Sequence, residues 1–542
     1  IQDKMLPVRR IIEAQRAAGI DVPVSMDTYV AEAIFHGRAG ERMENLQRDY
    51  IEPLTEGMRL ADVSLEQLDE YLYARHAPER NAAIAQIDPT NLEGSGMSDA
   101  EAQAIMDRVA TSGKQGEYDA LARIVDDMIT DALNTRVAAG LMTSEDRAAW
   151  RAKYSSYVPL RGFEASDEST DPDRPRSGQG MQVRGPESKR ALGRSSKADS
   201  PVSYAVMQAM EAIVRSEKNR VFKTLYRNVE ANSDPMWNIY KGESVKRFNP
   251  STGLVERKWR TPQTFMGSDN DLLSGKIGGK TVYIEIKHHG LLRAMKGVGA
   301  ETQGPIINAM MRVMRIYAQL LTSWNPEFTI PNFFRDMQTA LGNISDVADK
   351  PVNIRRQILK DAYSAKSIRG ILSALRGGGQ HEYAPWFEEY RLAGGKISFM
   401  EYNDVQRIKK RIVASLNDGD TTRAMKSAFT LIEDINTAVE NGVRLSSYIA
   451  LRKAGIAKDR AAFIARELTV NFNRKGEWGA AINSMYLFFN ASAQGSVRLA
   501  QAVYRSKALR YALGGLFVSA MVLDWWNALL AGDDDDGENY YD

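Results

Sequence analysis

The stretch that decides the fold is Ser323-Trp-Asn-Pro-Glu-Phe-Thr-Ile-Pro-Asn-Phe-Phe-Arg-Asp336, which lies between two apolar helical patterns. Before it, apolar residues recur every three or four positions, the spacing that places one stripe of a helix in a core. Proline lacks the N–H that a helix needs and disfavours helix at the residue before it, so Asn325-Pro326 predicts a helix end. Pro331 suits the first turn of the next helix. The sequence therefore predicts a corner between two helices.

The residues of this corner are mostly large and apolar, with one pair of charges. Aromatic side chains such as Phe333 are anchors for a packed corner. Arg335 and Asp336 are adjacent among these aromatics, a setting more typical of a structural ion pair than of catalytic groups. The residues that we expect to have a structural role here are Trp324, Asn325, Pro326, Phe333, Arg335 and Asp336.

Length and composition indicate a globular protein. The chain has 542 residues, 43% of them hydrophobic, which is enough for two to four packing units. Lysine and arginine total 71 against 69 acids, so there is no global basic field and any DNA contact would be local. The absence of cysteine excludes disulfides, thiolate catalysis and Cys-ligated zinc. Because the chain starts at Ile1, we expect it to be a piece of a larger protein.

Hydrophobic periodicity predicts a mainly α, multi-lobed helical protein with a small antiparallel β insertion. The segment 164–200 is rich in Ser, Asp, Arg, Pro and Gly, a composition typical of a flexible loop or linker. The five predicted regions are a helical region (1–163), the linker (164–200), a helix plus small β subdomain (201–300), a helical core region (301–510) and an apolar segment with an acidic tail (511–542).

Three local signals place elements within this outline. Ser200-Pro201 predicts the N-cap and first turn of a helix that reaches about Asn228. Ser98, followed three residues later by Glu101, predicts a capping box at the start of another helix. Further along, four β-rich runs and two turns, Asn249–Gly253 and Gly278-Gly279, predict a small antiparallel sheet. The runs are Trp237–Lys241, Val245–Phe248, Leu254–Trp259 and Thr281–Lys287.

The predicted β region contains the best candidate for an enzyme site. Asp269 or Asp271, followed by a strand with Glu285 and Lys287, has the outline of a nuclease pattern in which carboxylates hold Mg²⁺ and a lysine orients water. The alternative is that Glu285 and Lys287 form a solvated pair on one strand face. We favour the structural interpretation, because such a triplet arises often by chance.

A second catalytic candidate is His76, which lies near Glu79 and could do acid–base chemistry with it. Pro78 lies between them and predicts that a helix ends or kinks there. The chain has five histidines without metal-ligand spacing, so the sequence predicts no metal site and no cofactor.

Four stretches in chain order together resemble the large polyvalent protein-associated domain family, found in very large phage and mobile-element proteins. They are the corner around Trp324, Tyr73-Ala-Arg-His-Ala-Pro-Glu-Arg-Asn81, Tyr157-Val-Pro-Leu-Arg-Gly162, and the pair Val470-Asn-Phe-Asn-Arg-Lys-Gly476 with Phe488-Phe-Asn-Ala-Ser-Ala-Gln-Gly495. None is a catalytic motif. In the last pair, polar residues set among apolar ones are expected to satisfy backbone groups at turns; they are Asn471, Arg474, Asn490 and Gln494.

The resemblance implies a non-enzymatic segment of a large phage protein that is packaged in the virion and delivered with the genome. Its implied partners are other copies of itself, other virion proteins and phage DNA, and its implied location is the virion, then the host envelope or cytoplasm. The alternative is a segment of an injected antirestriction or DNA-processing polyprotein, nuclease-like if the Glu285 strand is active. Family resemblance does not separate the two, because this family accompanies many activities.

The last apolar run, 511–531, has about the length that spans a bilayer. Trp525-Trp526 suits a membrane interface, whereas Asp524 inside the run opposes a simple span. The sequence leaves two interpretations open: contact with a host membrane, or a buried core helix with a solvated acidic tail.

Overall fold

The structure is a computed structural model of the whole chain. The residues that it describes are 3–162, 182–183, 185, 187, 193–249, 254–260, 272–296, 326–343, 351–377, 381–396, 405–417, 420–468, 511, 515, 518–519 and 521–523.

The described part is mostly helical with small antiparallel sheets, which confirms the predicted fold class. Its α-helices, in chain order, are α1 (Leu6–Ala17), α2 (Thr28–Ala33), α3 (Phe35–Leu46), α4 (Glu52–Leu60), α5 (Leu65–Ala85), α6 (Asp99–Thr111), α7 (Gln115–Ala139), α8 (Ser144–Lys153), α9 (Pro201–Ala231), α10 (His289–Lys296), α11 (Pro326–Asn343), α12 (Pro351–Ser364), α13 (Lys366–Leu375), α14 (Ala384–Leu392), α15 (Val405–Leu416), α16 (Asp420–Lys453) and α17 (Lys458–Glu467).

Side-chain caps fix the starts of helices, as the sequence predicted at two positions. The Ser200 hydroxyl accepts a hydrogen bond from the Ser203 N–H at 3.2 Å, which caps α9. Ser98 likewise accepts from the Glu101 N–H at 3.1 Å and caps α6. The predicted capping box is only half formed, however, because the Glu101 carboxylate pairs with Lys197 at 2.5 Å instead.

Pro78 does not end a helix as the sequence predicted, and Pro331 lies deeper in a helix than the predicted first turn. The helix end predicted before Pro326 lies outside the described residues. Pro78 lies inside α5, which continues to Ala85. Leu72 and Ile84, on either side of it, are both buried, so tertiary packing offsets the lost hydrogen bond. At the corner, the helix already begins at Pro326, and Pro331 lies one turn further inside α11. The N–H groups in the first turn of a helix have no partner within the helix, so a proline, which lacks the N–H, suits that position.

Five strands form two antiparallel sheets. They are β1 (Trp237–Lys241), β2 (Glu243–Asn249), β3 (Leu254–Arg260), β4 (Leu272–Ile277) and β5 (Lys280–Ile286). β1, β5 and β4 pair in that order, and β2 pairs with β3. The predicted Gly278-Gly279 turn joins β4 to β5, and both glycines have positive φ, at 56° and 76°. A two-residue turn of this kind matches the twist of the strands, and glycine adopts it without steric cost.

Strand β4, which the sequence analysis did not identify, lies directly against α9. A Cβ on Gly275 would be 2.0 Å from a ring carbon of Phe222, so only glycine lets the strand approach the helix this closely. Phe222 is fully buried there. The β insertion is therefore fixed to the helical core through α9.

Two large apolar clusters make up the core, and α9 contributes to both. The first contains the C-terminal half of α9, with Val221 and Leu225, together with α1, α2, the three-stranded sheet, α10 to α14, α16 and α17. The second contains the N-terminal half, with Val206 and Ile213, together with α4, α5, α7 and α15. Each cluster combines residues from several of the five predicted regions, so the packing does not follow the order of the chain.

The predicted linker 164–200 has described residues that are packed against this core. The Val183 side chain is buried, and its N–H donates to the Ser274 carbonyl at 3.0 Å. Arg194 is also buried, and its guanidinium donates to the carbonyls of Gly162, Ser196 and Lys197. The flexible linker predicted for 164–200 therefore does not extend over these residues.

We predict that Gly275→Ala destabilises the protein by about 1–3 kcal/mol, because the added methyl group overlaps the Phe222 ring and neither β4 nor α9 can move freely. The measurement is the free energy of unfolding in urea. Gly116→Ala is the control: no atom lies within 4 Å of its added Cβ, and alanine favours helix there by up to about 1 kcal/mol. Equal stability of wild type and Gly275→Ala would contradict this packing.

Candidate functional site

The predicted nuclease carboxylate, Glu285, is engaged by its own sheet. It lies opposite Asn238 in the β1–β5 ladder and accepts a hydrogen bond from the Asn238 side chain at 2.8 Å. The Tyr240 hydroxyl donates to the same carboxylate oxygen at 3.2 Å. Lys287 is exposed just after the strand. Asp269 and Asp271 lie outside the described residues, and within those residues no group of three metal-ligating side chains could hold an ion.

Three of the six residues that we expected to have a structural role at the corner have described side chains: Phe333, Arg335 and Asp336. Phe333 is buried in the first apolar cluster, whereas Arg335 is exposed. Asp336 is buried, which raises its pKa, and the opposing charge that lowers it most is Arg444 of α16. Arg335 also lowers the pKa of Asp336, so the charge that lowers it most belongs to another helix and the charge of its neighbour adds to it.

Several predicted structural residues cannot be placed. Of Pro326 only its position at the start of α11 is described. The others lie outside the described residues: Trp324, Asn325, Asn471, Arg474, Asn490 and Gln494.

Two of the stretches that carry the family resemblance, 73–81 and 157–162, meet around His76 and Glu79 of α5. His76 is only 1% exposed, and its ring packs edge-on against Tyr154 and Tyr157, each with a centroid separation of 5.4 Å. Trp150 of α8 packs on Tyr157 in turn, at 4.3 Å. The aromatic rings exclude water from the imidazole.

Glu79 holds the chain segment that follows α8. One carboxylate oxygen accepts hydrogen bonds from the Ser155 N–H at 3.0 Å and from the Ser155 hydroxyl. The other oxygen accepts from the Ser156 N–H at 3.2 Å and lies 3.3 Å from His76 Nδ1. Burial alone would raise the pKa of Glu79, but these hydrogen bonds outweigh it and lower the pKa to about 2. Glu79 is therefore ionised throughout the neutral range.

This arrangement contains the residue types of a catalytic triad but not its order. A triad needs the histidine between the serine and the carboxylate, so that the imidazole can take the serine proton. Here Ser155 donates directly to Glu79, and burial lowers the pKa of His76, which favours the neutral imidazole. Glu79 is a poor base at neutral pH. The geometry therefore supports a structural role, in which Glu79 holds the 155–156 backbone against α5.

Tyr73 and Asn81, at the two ends of the 73–81 stretch, fix the loop before α6. The Tyr73 hydroxyl donates to the Ser95 carbonyl at 2.7 Å. The Asn81 side-chain amide donates to the Met97 carbonyl at 2.9 Å and accepts from the Ser95 N–H at 2.8 Å. A buried asparagine that satisfies two backbone groups of a loop stabilises one conformation of it.

A larger polar feature, which the sequence analysis missed, is the polar belt of α9, Arg215-Ser-Glu-Lys-Asn-Arg220. These six residues make about one and two-thirds helical turns, so they face every side of α9. Ser216 and Glu217 are nevertheless fully buried, as is Asn219. The sequence does contain a signal for this buried cluster, which is an uninterrupted polar run between two apolar halves of one helix. If both halves are buried, part of the polar run between them has to be buried as well.

Glu217 is the centre of one side of the polar belt, where it is surrounded by three arginines. Its carboxylate oxygens lie 3.0 Å from Arg38 Nε, 3.1 Å from Arg42 Nε and 3.4 Å from Arg220 Nε. Arg38 also contacts Asp459 of α17 at 3.7 Å. These ion pairs join α3, α9 and α17.

On another side, the polar belt contacts Glu187 and the sheet. Glu187 lies 2.7 Å from Arg215, 3.0 Å from Lys276 and 3.7 Å from Arg136. Burial acts to raise the pKa of Glu187, but the cations, Arg215 foremost, lower it below its usual value. Asn219 completes the contact: its amide donates to the Lys276 carbonyl at 2.8 Å and accepts from the Lys276 N–H at 2.7 Å.

The described residues of the C-terminal apolar run are helical and exposed. Val518, Met521, Val522 and Leu523 each expose more than half of their surface. Among the helices of the described residues, none combines the length and the apolar character that crossing a membrane requires.

Comparison of the chain with protein-family models, with curated proteins and with solved structures found no match. The family resemblance of the sequence therefore stays a prediction.

We predict that Glu79→Gln lowers the free energy of unfolding at pH 7 by about 1–2 kcal/mol, since the charged acceptor of the Ser155 and Ser156 hydrogen bonds is lost. Because the pKa of Glu79 falls from 4.5 to about 2 on folding, its contribution is present above pH 4.5 and is lost as the pH falls towards 2. The difference between variant and wild type should shrink over that range in urea unfolding experiments.

The control for this prediction is Glu66→Gln, an exposed glutamate in the first turn of the same helix. It should change stability by less than about 0.5 kcal/mol. If the loss of unfolding free energy in Glu79→Gln stays constant from pH 7 to pH 2.5, the carboxylate charge does not hold the 155–156 segment.

Proposed function

We propose that this chain is a non-enzymatic, helical segment of a large phage protein that is packaged in the virion and delivered with the genome. The observation that carries the proposal is the meeting of the stretches 73–81 and 157–162 around His76 and Glu79. In the 73–81 stretch, Tyr73, Glu79 and Asn81 hold backbone groups of other segments through hydrogen bonds, and Tyr157 of the second stretch packs on the His76 ring. Structural roles for these polar residues fit a protein that is assembled into a particle and delivered, rather than an enzyme that turns over a substrate.

The state of the acidic candidates also supports a non-catalytic role. Glu79 accepts hydrogen bonds from two backbone N–H groups and is ionised well below neutral pH. Glu285 accepts from Asn238 and Tyr240. General acid–base catalysis favours a group whose pKa lies near the working pH and which reaches the substrate. Glu79 lacks the first property, and both carboxylates already accept hydrogen bonds from neighbouring groups.

The proposed partners are other copies of this chain and other virion proteins, with phage DNA and a host membrane as further partners during delivery. The exposed apolar residues between Val518 and Leu523 support an apolar partner for the C-terminal run, because exposed apolar surface of this kind marks interaction sites. The proposed location is the virion and, after delivery, the host envelope or cytoplasm.

The test is to follow the chain through particle purification. We expect peptides of residues 1–542 in gradient-purified particles, at a constant ratio to the major capsid protein across the gradient peak, and then in the envelope or cytoplasmic fraction of cells infected without new protein synthesis. Quantitative mass spectrometry measures both.

A non-structural protein of the same infection serves as the control, since it should disappear from the particles during purification. If the chain is lost in parallel with that control, or appears in cells only after synthesis begins, the packaging role is wrong.

A further inference from the structure

The C-terminal half of α9 carries a line of positive charges on its solvent side. We call Arg220, Lys223 and Arg227, together with Arg42 of α3, the basic stripe. On α9 these residues follow at steps of three and four, which places them along one helix face. The side chains of Arg42 and Arg220 are 29% and 32% exposed, Lys223 is partly exposed and Arg227 is exposed.

The polar belt orients two members of the basic stripe. Arg42 Nε and Arg220 Nε lie 3.1 Å and 3.4 Å from the same Oε1 of Glu217, which is fully buried beneath them. A guanidinium has five N–H donors in a fixed plane, so a contact through Nε leaves the outer nitrogens for another acceptor. Less side-chain entropy is lost when a fixed guanidinium binds an anion.

The charges of the basic stripe also repel one another. Burial lowers the pKa of Lys223, and Arg227 and Arg220 lower it further through like-charge repulsion. Among the described residues, the acids near this region are the buried Glu217, Asp459 near Arg38 and Arg220, Asp131 near Arg42, and Glu230, which follows Arg227 by three residues on α9. With Arg38 included, five cations face four carboxylates, and an anion would relieve the remaining excess.

We propose that the basic stripe binds the phosphate backbone of duplex DNA. From Arg220 to Arg227 the stripe extends about 10 Å along α9, at about 1.5 Å per residue. One strand of duplex DNA presents a phosphate about every 3.4 Å along the axis, so this length faces about three phosphates. Since the chain's net charge is only +2, attraction for DNA has to come from a local surface of this kind. The inference rests on this surface alone and does not depend on packaging in a virion.

The test is the fluorescence anisotropy of a labelled 20-base-pair duplex titrated with the full chain at several salt concentrations. We expect Lys223→Gln/Arg227→Gln to lose about 10-fold or more in affinity at 0.1 M salt. We also expect the slope of log K against log salt to become shallower by about 2, because two phosphate contacts are removed.

Arg48→Gln/Arg108→Gln is the matched control. It removes the same charge from two exposed arginines elsewhere on the surface and should bind DNA like the wild type. Unfolding in urea checks that both double variants remain folded.

Three results would overturn the proposal. The first is a wild-type chain that does not bind the duplex at 50 mM salt. The second is equal affinity and salt slope for wild type and Lys223→Gln/Arg227→Gln. The third is stronger binding of polyglutamate than of the duplex, which would assign the basic stripe to an acidic protein partner instead.

Discussion

The ion pairs around Glu217 are the interaction on which the rest of the structure depends. They lie at the middle of α9, where its two apolar halves meet and where both large apolar clusters end. A buried carboxylate without counterions would cost several kcal/mol, so Arg38, Arg42 and Arg220 have to be in place when the clusters form. The polar belt therefore fixes how α3 and α17 sit on α9, whereas apolar packing alone would tolerate other arrangements.

Similar pairing of charges recurs where early and late parts of the chain pack together. Arg391 of α14 lies 3.0 Å from the fully buried Glu41 of α3, whose pKa burial raises to about 7 against the charge of Arg391, and Arg391 also contacts Glu388. Nearby, a Cβ on Gly37 would lie 2.2 Å from the Gly394 carbonyl oxygen, so the two backbones are in direct contact. Close backbone contact and buried ion pairs need definite partners, and this favours one packed arrangement of the early and late helices.

The sequence predicted the features that depend on a few neighbouring residues and missed those that depend on contacts with distant parts of the chain. The start of α9 at Ser200-Pro201 and the turn at Gly278-Gly279 were predicted correctly, because residues at those positions favour one conformation by themselves. Strand β4 was missed because Leu-Leu-Ser-Gly-Lys-Ile, 272–277, contains glycine and lysine, which disfavour strands; it is a strand because it packs on α9. Pro78 was misjudged for the same reason, since packing on both sides keeps α5 continuous. The His76–Glu79 pair was noticed as a candidate, but its meaning depends on Ser155, 76 residues away.

The central claim is that the charge of Glu217 holds the two halves of the core together, and the free energy of unfolding of Glu217→Gln tests it most directly. Removing one partner from a buried ion pair costs about 3–5 kcal/mol, because the arginines lose their counterion inside the protein. Glu66→Gln, an exposed glutamate on α5, is the comparison and should cost less than about 0.5 kcal/mol. The account predicts a large loss of stability for Glu217→Gln alone. Equal small effects of the two substitutions would contradict it.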